Sequence, residues 1–191
     1  MSKKKDETVL QPKIDAIYKI IIIGDPSVGK TSLLTKFSKK MFKEEYISTV
    51  GVNILKEIVP LEVNGNKVIV NMVLWDIAGQ THFYMFLESY FKGADGMMLV
   101  FDITRQSTFN NVENWYHAAV KNGLSRIPRI LIGNKLDLEN ERKIVQSYAN
   151  RLSNELNAQY FETSAKSGEN VDLIFKTIAE ITFDSKKKKR F

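Results

Sequence analysis

The chain predicts an α/β fold: a six-stranded, mainly parallel sheet with one antiparallel edge strand and helices on both faces. Three observations predict it. Strand-like and helix-like segments alternate from Ile17 onward. Several strand-like segments are continuous apolar runs, such as Met97-Met98-Leu99-Val100-Phe101 and Ile130-Leu131-Ile132, as expected where both faces of a parallel sheet are covered. Asn64-Gly65 separates two of them, and that dipeptide suits a tight hairpin, so one strand runs antiparallel.

Taken in order, Tyr18–Gly24 is the first strand, an isoleucine run, and Lys30–Ser38 is a helix carrying Leu33, Leu34 and Phe37. Residues 39–51 carry many charges and little periodicity, and read as a loop. Strands Asn53–Val63 and Lys67–Asp76 follow, and Pro60 places the first of them at an edge. A helix over Phe83–Phe91 leads to strand Gly96–Asp102, a helix over Ser107–Asn122 to strand Arg129–Asn134, and a helix over Arg142–Leu156 to strand Gln159–Thr163. The last helix, Asn170–Thr182, places Val171, Ile174, Phe175, Ile178 and Ile181 on one face. This gives a flexible basic extension over 1–16, one domain over 17–182, and a basic tail over 183–191.

The net charge of +6 is concentrated in those ends, in Lys3-Lys4-Lys5 and Lys186-Lys187-Lys188-Lys189-Arg190, and the body between is close to neutral. No nucleic-acid footprint is therefore expected. The tail predicts at most a weak electrostatic contact with an anionic membrane, about 1 kcal/mol per basic residue near the surface. Cysteine is absent, which excludes disulfides, thiolate metal sites and prenylation. Ser2 stands where myristoylation needs glycine. No signal segment or spanning run is read, and a cytoplasmic protein, peripheral at most to the cytosolic membrane face, is expected.

Chemistry concentrates in a few loops. Gly24-Asp25-Pro26-Ser27-Val28-Gly29-Lys30-Thr31 fits G-x-x-x-x-G-K-[ST] between a strand and a helix. Backbone N–H groups of such a loop converge on phosphates and the helix N-terminus adds partial positive charge. Asp25, Ser27, Val28, Gly29, Lys30, Thr31 and Ser32 are its candidate binding residues, with Lys30 reaching the β- and γ-phosphates and Thr31 reaching Mg²⁺. Asp76 ends an apolar strand, where a magnesium ligand is wanted. Gly79 allows backbone close to a γ-phosphate, and Gln80 can orient an attacking water. In Asn134-Lys135-Leu136-Asp137 the Asp137 carboxylate can accept both guanine N1–H and the 2-amino group. Adenine offers neither donor. In Ser164-Ala165-Lys166 the Ala165 N–H can meet guanine O6.

With these motifs and Thr49 in order, the chain resembles a small GTPase of the Ras superfamily over about residues 17–182, and is most similar to the Rab branch. Ser48-Thr49-Val50-Gly51-Val52, Leu99-Val100-Phe101-Asp102-Ile103-Thr104 and Phe109-Asn110-Asn111-Val112-Glu113-Asn114-Trp115 carry the Rab likeness. The resemblance implies the P-loop NTPase fold known as the G domain, a monomer that switches between GTP and GDP. It implies Thr31 and Thr49 on Mg²⁺, with Asp76 holding it through water. Phe42 would pack against guanine, Tyr46 would close over the phosphates, and Lys135 would lie along the base. Lys30 and Gln80 would be the catalytic pair. Effectors, exchange factors and GTPase-activating proteins would meet residues 39–54 and 77–92, with Ile54, Trp75 and Tyr90 at the positions of the Rab aromatic triad.

Several positions depart from that pattern. Pro26 and Ser27 replace loop glycines, Thr81 replaces a glutamate used by exchange factors, Ile54 replaces a phenylalanine, and the C-terminal cysteines are absent. His82 and His117 read as a solvated residue beside Gln80 and a surface residue. No arginine lies between Lys30 and Thr49 to assist hydrolysis in cis, so slow turnover is expected, raised roughly 10³–10⁵-fold by a partner. The alternative is a guanine-nucleotide scaffold with little turnover. A P-loop kinase fits less well, because it leaves the guanine motif unexplained.

Overall fold

The isoleucine run forms β1, Ala16–Ile23, at the centre of the sheet. β-branched residues favour the pleated backbone, and here they are buried on both faces. The computed structural model describes residues 13–38, 49, 51–63, 65–79 and 87–188. The other strands are β2 (Val52–Val63), β3 (Asn66–Ile77), β4 (Gly96–Asp102), β5 (Arg129–Asn134) and β6 (Gln159–Thr163). The helices are α1 (Lys30–Phe37), α2 (Leu87–Phe91), α3 (Gln106–Asn110), α4 (Val112–Lys121), α5 (Gln146–Glu155) and α6 (Val171–Lys188).

The sheet order is β2-β3-β1-β4-β5-β6, and only β2 runs antiparallel to its neighbour. The hairpin is where Asn64-Gly65 predicts it, with Val63 opposite Asn66 and Gly65 at φ 75°. Pro60 is exposed on the edge strand. One face of the sheet buries Ile20, Ile22, Met98 and Ile132 against α1 and α6, where Phe37 and Phe175 stack at 4.1 Å between ring centroids. The other buries Ile21, Ile23, Leu99 and Leu131 against Phe91 of α2, Trp115 of α4 and Leu152 of α5. Full burial of each such side chain contributes about 1.5–3 kcal/mol. Because five strands run parallel, the loops that leave β1, β3, β4, β5 and β6 share one edge, the place where open α/β sheets bind ligands.

Three helices differ from the sequence expectation. The helix expected over 107–122 divides at Asn111, whose side chain is drawn to Asp25. The helix expected from Arg142 starts at Gln146, because the Lys143 and Ile144 N–H groups both donate to the Ile103 carbonyl. The last helix runs past Thr182 to Lys188, so the tail expected from 183 is helical that far. Lys186 pairs there with Asp95, and lysines in a last turn oppose the negative end of the helix dipole. No helix among the described residues is long and apolar enough to cross a membrane.

Candidate nucleotide site

The Gly24–Thr31 loop leaves β1 and enters α1 through Gly29, which at φ 98° caps the helix in the left-handed region. A Cβ there would collide with the Asn134 side chain, so glycine is required twice over. Lys30 is 6% exposed, and its Nζ donates to the Gly24 carbonyl at 2.7 Å and the Asp25 carbonyl at 2.9 Å. Burial lowers its pKa to about 8, against the opposing pull of Asp76 and Asp25, and the nearby Arg105 charge lowers it further. An ammonium held this way is ready to exchange neutral carbonyls for phosphate oxygens.

Thr31 Oγ1 donates to Asp76 Oδ2 at 2.5 Å and lies 2.8 Å from Thr49 Oγ1. Three oxygen donors from α1, β3 and the chain just before β2 thus converge beside Lys30. Asp76 is fully buried and its Oδ1 has no hydrogen-bond partner among the described residues. Burial raises its pKa, although Thr31, Lys30 and Thr49 oppose that. A buried carboxylate oxygen without a partner, beside two hydroxyls, fits a hard divalent cation that takes its remaining ligands from water and phosphate. No cluster of three His, Cys, Asp or Glu side chains able to hold a metal occurs among the described residues, so the set would be completed by the ligand. Gly79 packs under the phosphate loop, where a Cβ would stand 2.5 Å from Asp25 C and Pro26 N.

The base side is knitted by Asn134. Its Nδ2 donates to the Val28 carbonyl at 2.8 Å, and its Oδ1 accepts from Thr163 Oγ1 at 3.1 Å and the Ala165 N–H at 3.2 Å. Ser164, fully buried, donates to Asp137 Oδ1 at 2.5 Å and accepts from the Ser167 N–H at 3.0 Å. Asp137 itself is exposed, with one carboxylate oxygen already oriented. The Ala165 N–H, expected to meet guanine O6, is engaged by Asn134. Lys135 adopts φ 75° and its Nζ lies 2.6 Å from Asp102 Oδ2. Lys166 is exposed.

Behind these segments, Arg142 forks onto Glu162 at 2.7 and 2.8 Å and onto Glu139, tying the turn after Asp137 to the strand before Ser164. Burial raises the Glu162 pKa, but hydrogen bonds from Arg142, Tyr160 and Gln146 hold it below its ordinary value.

Ile54 is exposed and opposite Trp75 in the β2–β3 register, with Lys19 Nζ 3.6 Å from a Trp75 ring centroid. Tyr90 is half-buried. His117 is exposed on α4, as expected. Ser27, Val28 and Ser32 lie in the loop and first helical turn as read. Phe42, Tyr46, Gln80, Thr81 and His82 lie outside the described residues.

The part that Asn111, Trp115, Asp102 and Arg105 play at this site escaped the sequence reading. Asp25 turns its carboxylate away from the loop, where Oδ1 accepts from Asn111 Nδ2 at 2.5 Å and Trp115 Nε1 at 2.8 Å, while its carbonyl accepts from Lys30 Nζ. Asp102, fully buried at the end of β4, pairs with Lys135 and with Arg105. Burial raises the Asp102 pKa, but Lys135 and Thr104 outweigh it and hold the group below the ordinary carboxylate range. The signal was available: Asp102, like Asp76, is an acid ending a strand parallel to β1.

The Ras family model matches residues 19–183. Among curated relatives, Ras-related protein Rab-13 of Mesocricetus auratus is 39% identical over 165 residues, 86% of this chain and 79% of the relative. Human Ras-related protein Rab-8B is 37% identical over 165 residues, covering 86% and 78%. The GTP-binding protein ypt1 of Schizosaccharomyces pombe is 36% identical over 170 residues, covering 89% and 82%.

Proposed function

This chain belongs to the Ras family, and from that premise we propose how its own residues work a GTP/GDP switch. It is a Rab-like small GTPase of membrane trafficking that hydrolyses GTP to GDP and phosphate. The observation that carries the residue assignment is the convergence of Thr31, Thr49 and Asp76 beside the Lys30 ammonium, joined through Asn134 to the base-reading segments.

In this reading Asp137 and the Ala165 N–H select guanine, and Lys135 lies along the base. Phe42 packs on guanine and Tyr46 closes over the phosphates. Lys30 leaves the Gly24 and Asp25 carbonyls for the β- and γ-phosphates, and the N–H groups of the loop hold the rest of the chain of anions. Thr31, Thr49 and Asp76 hold Mg²⁺, which when bound neutralises charge on the phosphate oxygens. Gln80 orients the attacking water. Thr49 and Gly79 sense the γ-phosphate and set residues 39–54 and 77–92 for effectors, exchange factors and activating proteins. The basic end of α6 gives a weak, peripheral contact with an anionic cytosolic membrane face.

Purified full chain supplied with GTP and Mg²⁺ is expected to release phosphate slowly, and the Gln80→Leu variant more slowly still. GTP bound without any release contradicts the hydrolytic reading and favours the scaffold.

A further inference from the structure

We propose that Arg105 is a positioning residue of the phosphate loop, bracing the Pro26 carbonyl outward and tying it through Asp102 to Lys135. The inference rests on the guanine-nucleotide reading and deepens it. Arg105 Nη2 donates to the Pro26 carbonyl at 3.0 Å, and its Nε donates to Asp102 Oδ2 at 2.9 Å. The same carboxylate oxygen takes Lys135 Nζ at 2.6 Å, while Oδ1 accepts the Thr104 N–H at 2.9 Å and hydroxyl at 2.7 Å. One fully buried carboxylate therefore serves two cations, Arg105, which bonds the phosphate loop, and Lys135 of the base motif.

The consequence for the phosphates follows from peptide geometry. In a trans peptide the carbonyl and the next N–H point in opposite directions. Holding the Pro26 carbonyl on Arg105 turns the Ser27 N–H to the other side of the loop, and the Ser27 N–H has no hydrogen-bond partner among the described residues. Ser27 sits at φ 61°, the left-handed conformation with which successive N–H groups form an anion-binding concavity. Pro26 contributes no N–H of its own, so this loop has one donor fewer and depends more on the next. Arg105 spans the gap because its Nε and Nη2 are fixed in one plane, and a lysine ammonium cannot occupy both places.

The experiment measures GMP, GDP and GTP affinity, with Mg²⁺, of the full chain and of its Arg105→Ala and Arg105→Lys variants, with circular dichroism as a check of folding. Arg105→Ala is expected to lose about tenfold in GDP and GTP affinity and less than twofold for GMP, whose single phosphate uses less of the loop. Arg105→Lys, which keeps the charge on Asp102, is expected to recover only part of that loss. Should the alanine variant fail to fold, the lysine variant carries the same comparison. Unchanged GDP affinity, an equal loss for all three nucleotides, or full recovery by lysine would overturn the brace alone. A parent protein that binds none of the three would overturn the nucleotide reading and the brace together.

Discussion

The two sides of the site are held in different ways. On the base side, Asn134 bridges Val28, Thr163 and Ala165, Ser164 orients Asp137, and Arg142 clamps the two segments from behind. None of these contacts except that of the Ala165 N–H must break for a purine to bind. On the phosphate side, Lys30 occupies two backbone carbonyls, Thr31 occupies Asp76, and one buried oxygen of Asp76 has no partner among the described residues. Those contacts stand where ligand contacts belong. On the proposed reading, base selection is thus built into the fold, whereas the phosphate and cation machinery takes its working arrangement from what binds. Such a division suits a switch, because only the phosphate side has to report a change from GTP to GDP.

The largest expected effect tests the base side. Asp137→Ala removes two hydrogen bonds to a charged acceptor, about 3–6 kcal/mol in all. GTP affinity should fall by about two to four orders of magnitude and the preference over ATP should vanish, as read by competition binding. Retained preference would place base selection elsewhere. Gly79→Ala tests the other side: its Cβ drives into the backbone at Asp25 and Pro26, an overpacking that costs about 1–3 kcal/mol. GTP affinity should fall by about one to two orders of magnitude while the ratio of GTP to ATP affinity stays unchanged. A changed ratio would blur the division.

A smaller effect follows from pH. Lys30 in the empty site has a pKa of about 8 against an ordinary 10.5, and phosphates want the protonated form. Above about pH 8, binding must take up a proton, so GDP affinity should fall by up to tenfold per pH unit. Between about pH 8 and 10.5 the unfolded chain binds more protons at this group than the folded one. This group's contribution to the stability of the empty protein therefore rises with pH over that window. Titrations of affinity and of unfolding should move in opposite directions; a flat affinity profile would show that Lys30 does not meet the phosphates.

Much of this was legible in the sequence because it is local. The strand–loop–helix context of Gly24–Thr31, the hairpin at Asn64-Gly65 and the acid ending β3 are each written in a few neighbouring residues, and the structure places them as read. What was not legible depends on which strands become neighbours. Asp25 meets Asn111 and Trp115, and Pro26 meets Arg105, across separations of 79 to 90 residues. Only the β1–β4 pairing brings those segments together. The helix ends at Asn111 and Arg142 moved for the same reason: the Asn111 side chain and the Lys143 and Ile144 N–H groups are claimed by distant partners, and local propensity yields to them. The extension of α6 through Lys188 was hidden by its lysine run, which reads equally as a solvated tail.

Amide hydrogen exchange, compared between the nucleotide-free protein and the protein with GDP and Mg²⁺, tests the division most directly. The account predicts a large gain in protection at residues 24–31 and 78–79, with little change at residues 134–137 and 163–166 beyond the Ala165 amide. Equal gains on both sides, or a gain confined to the base side, would contradict it.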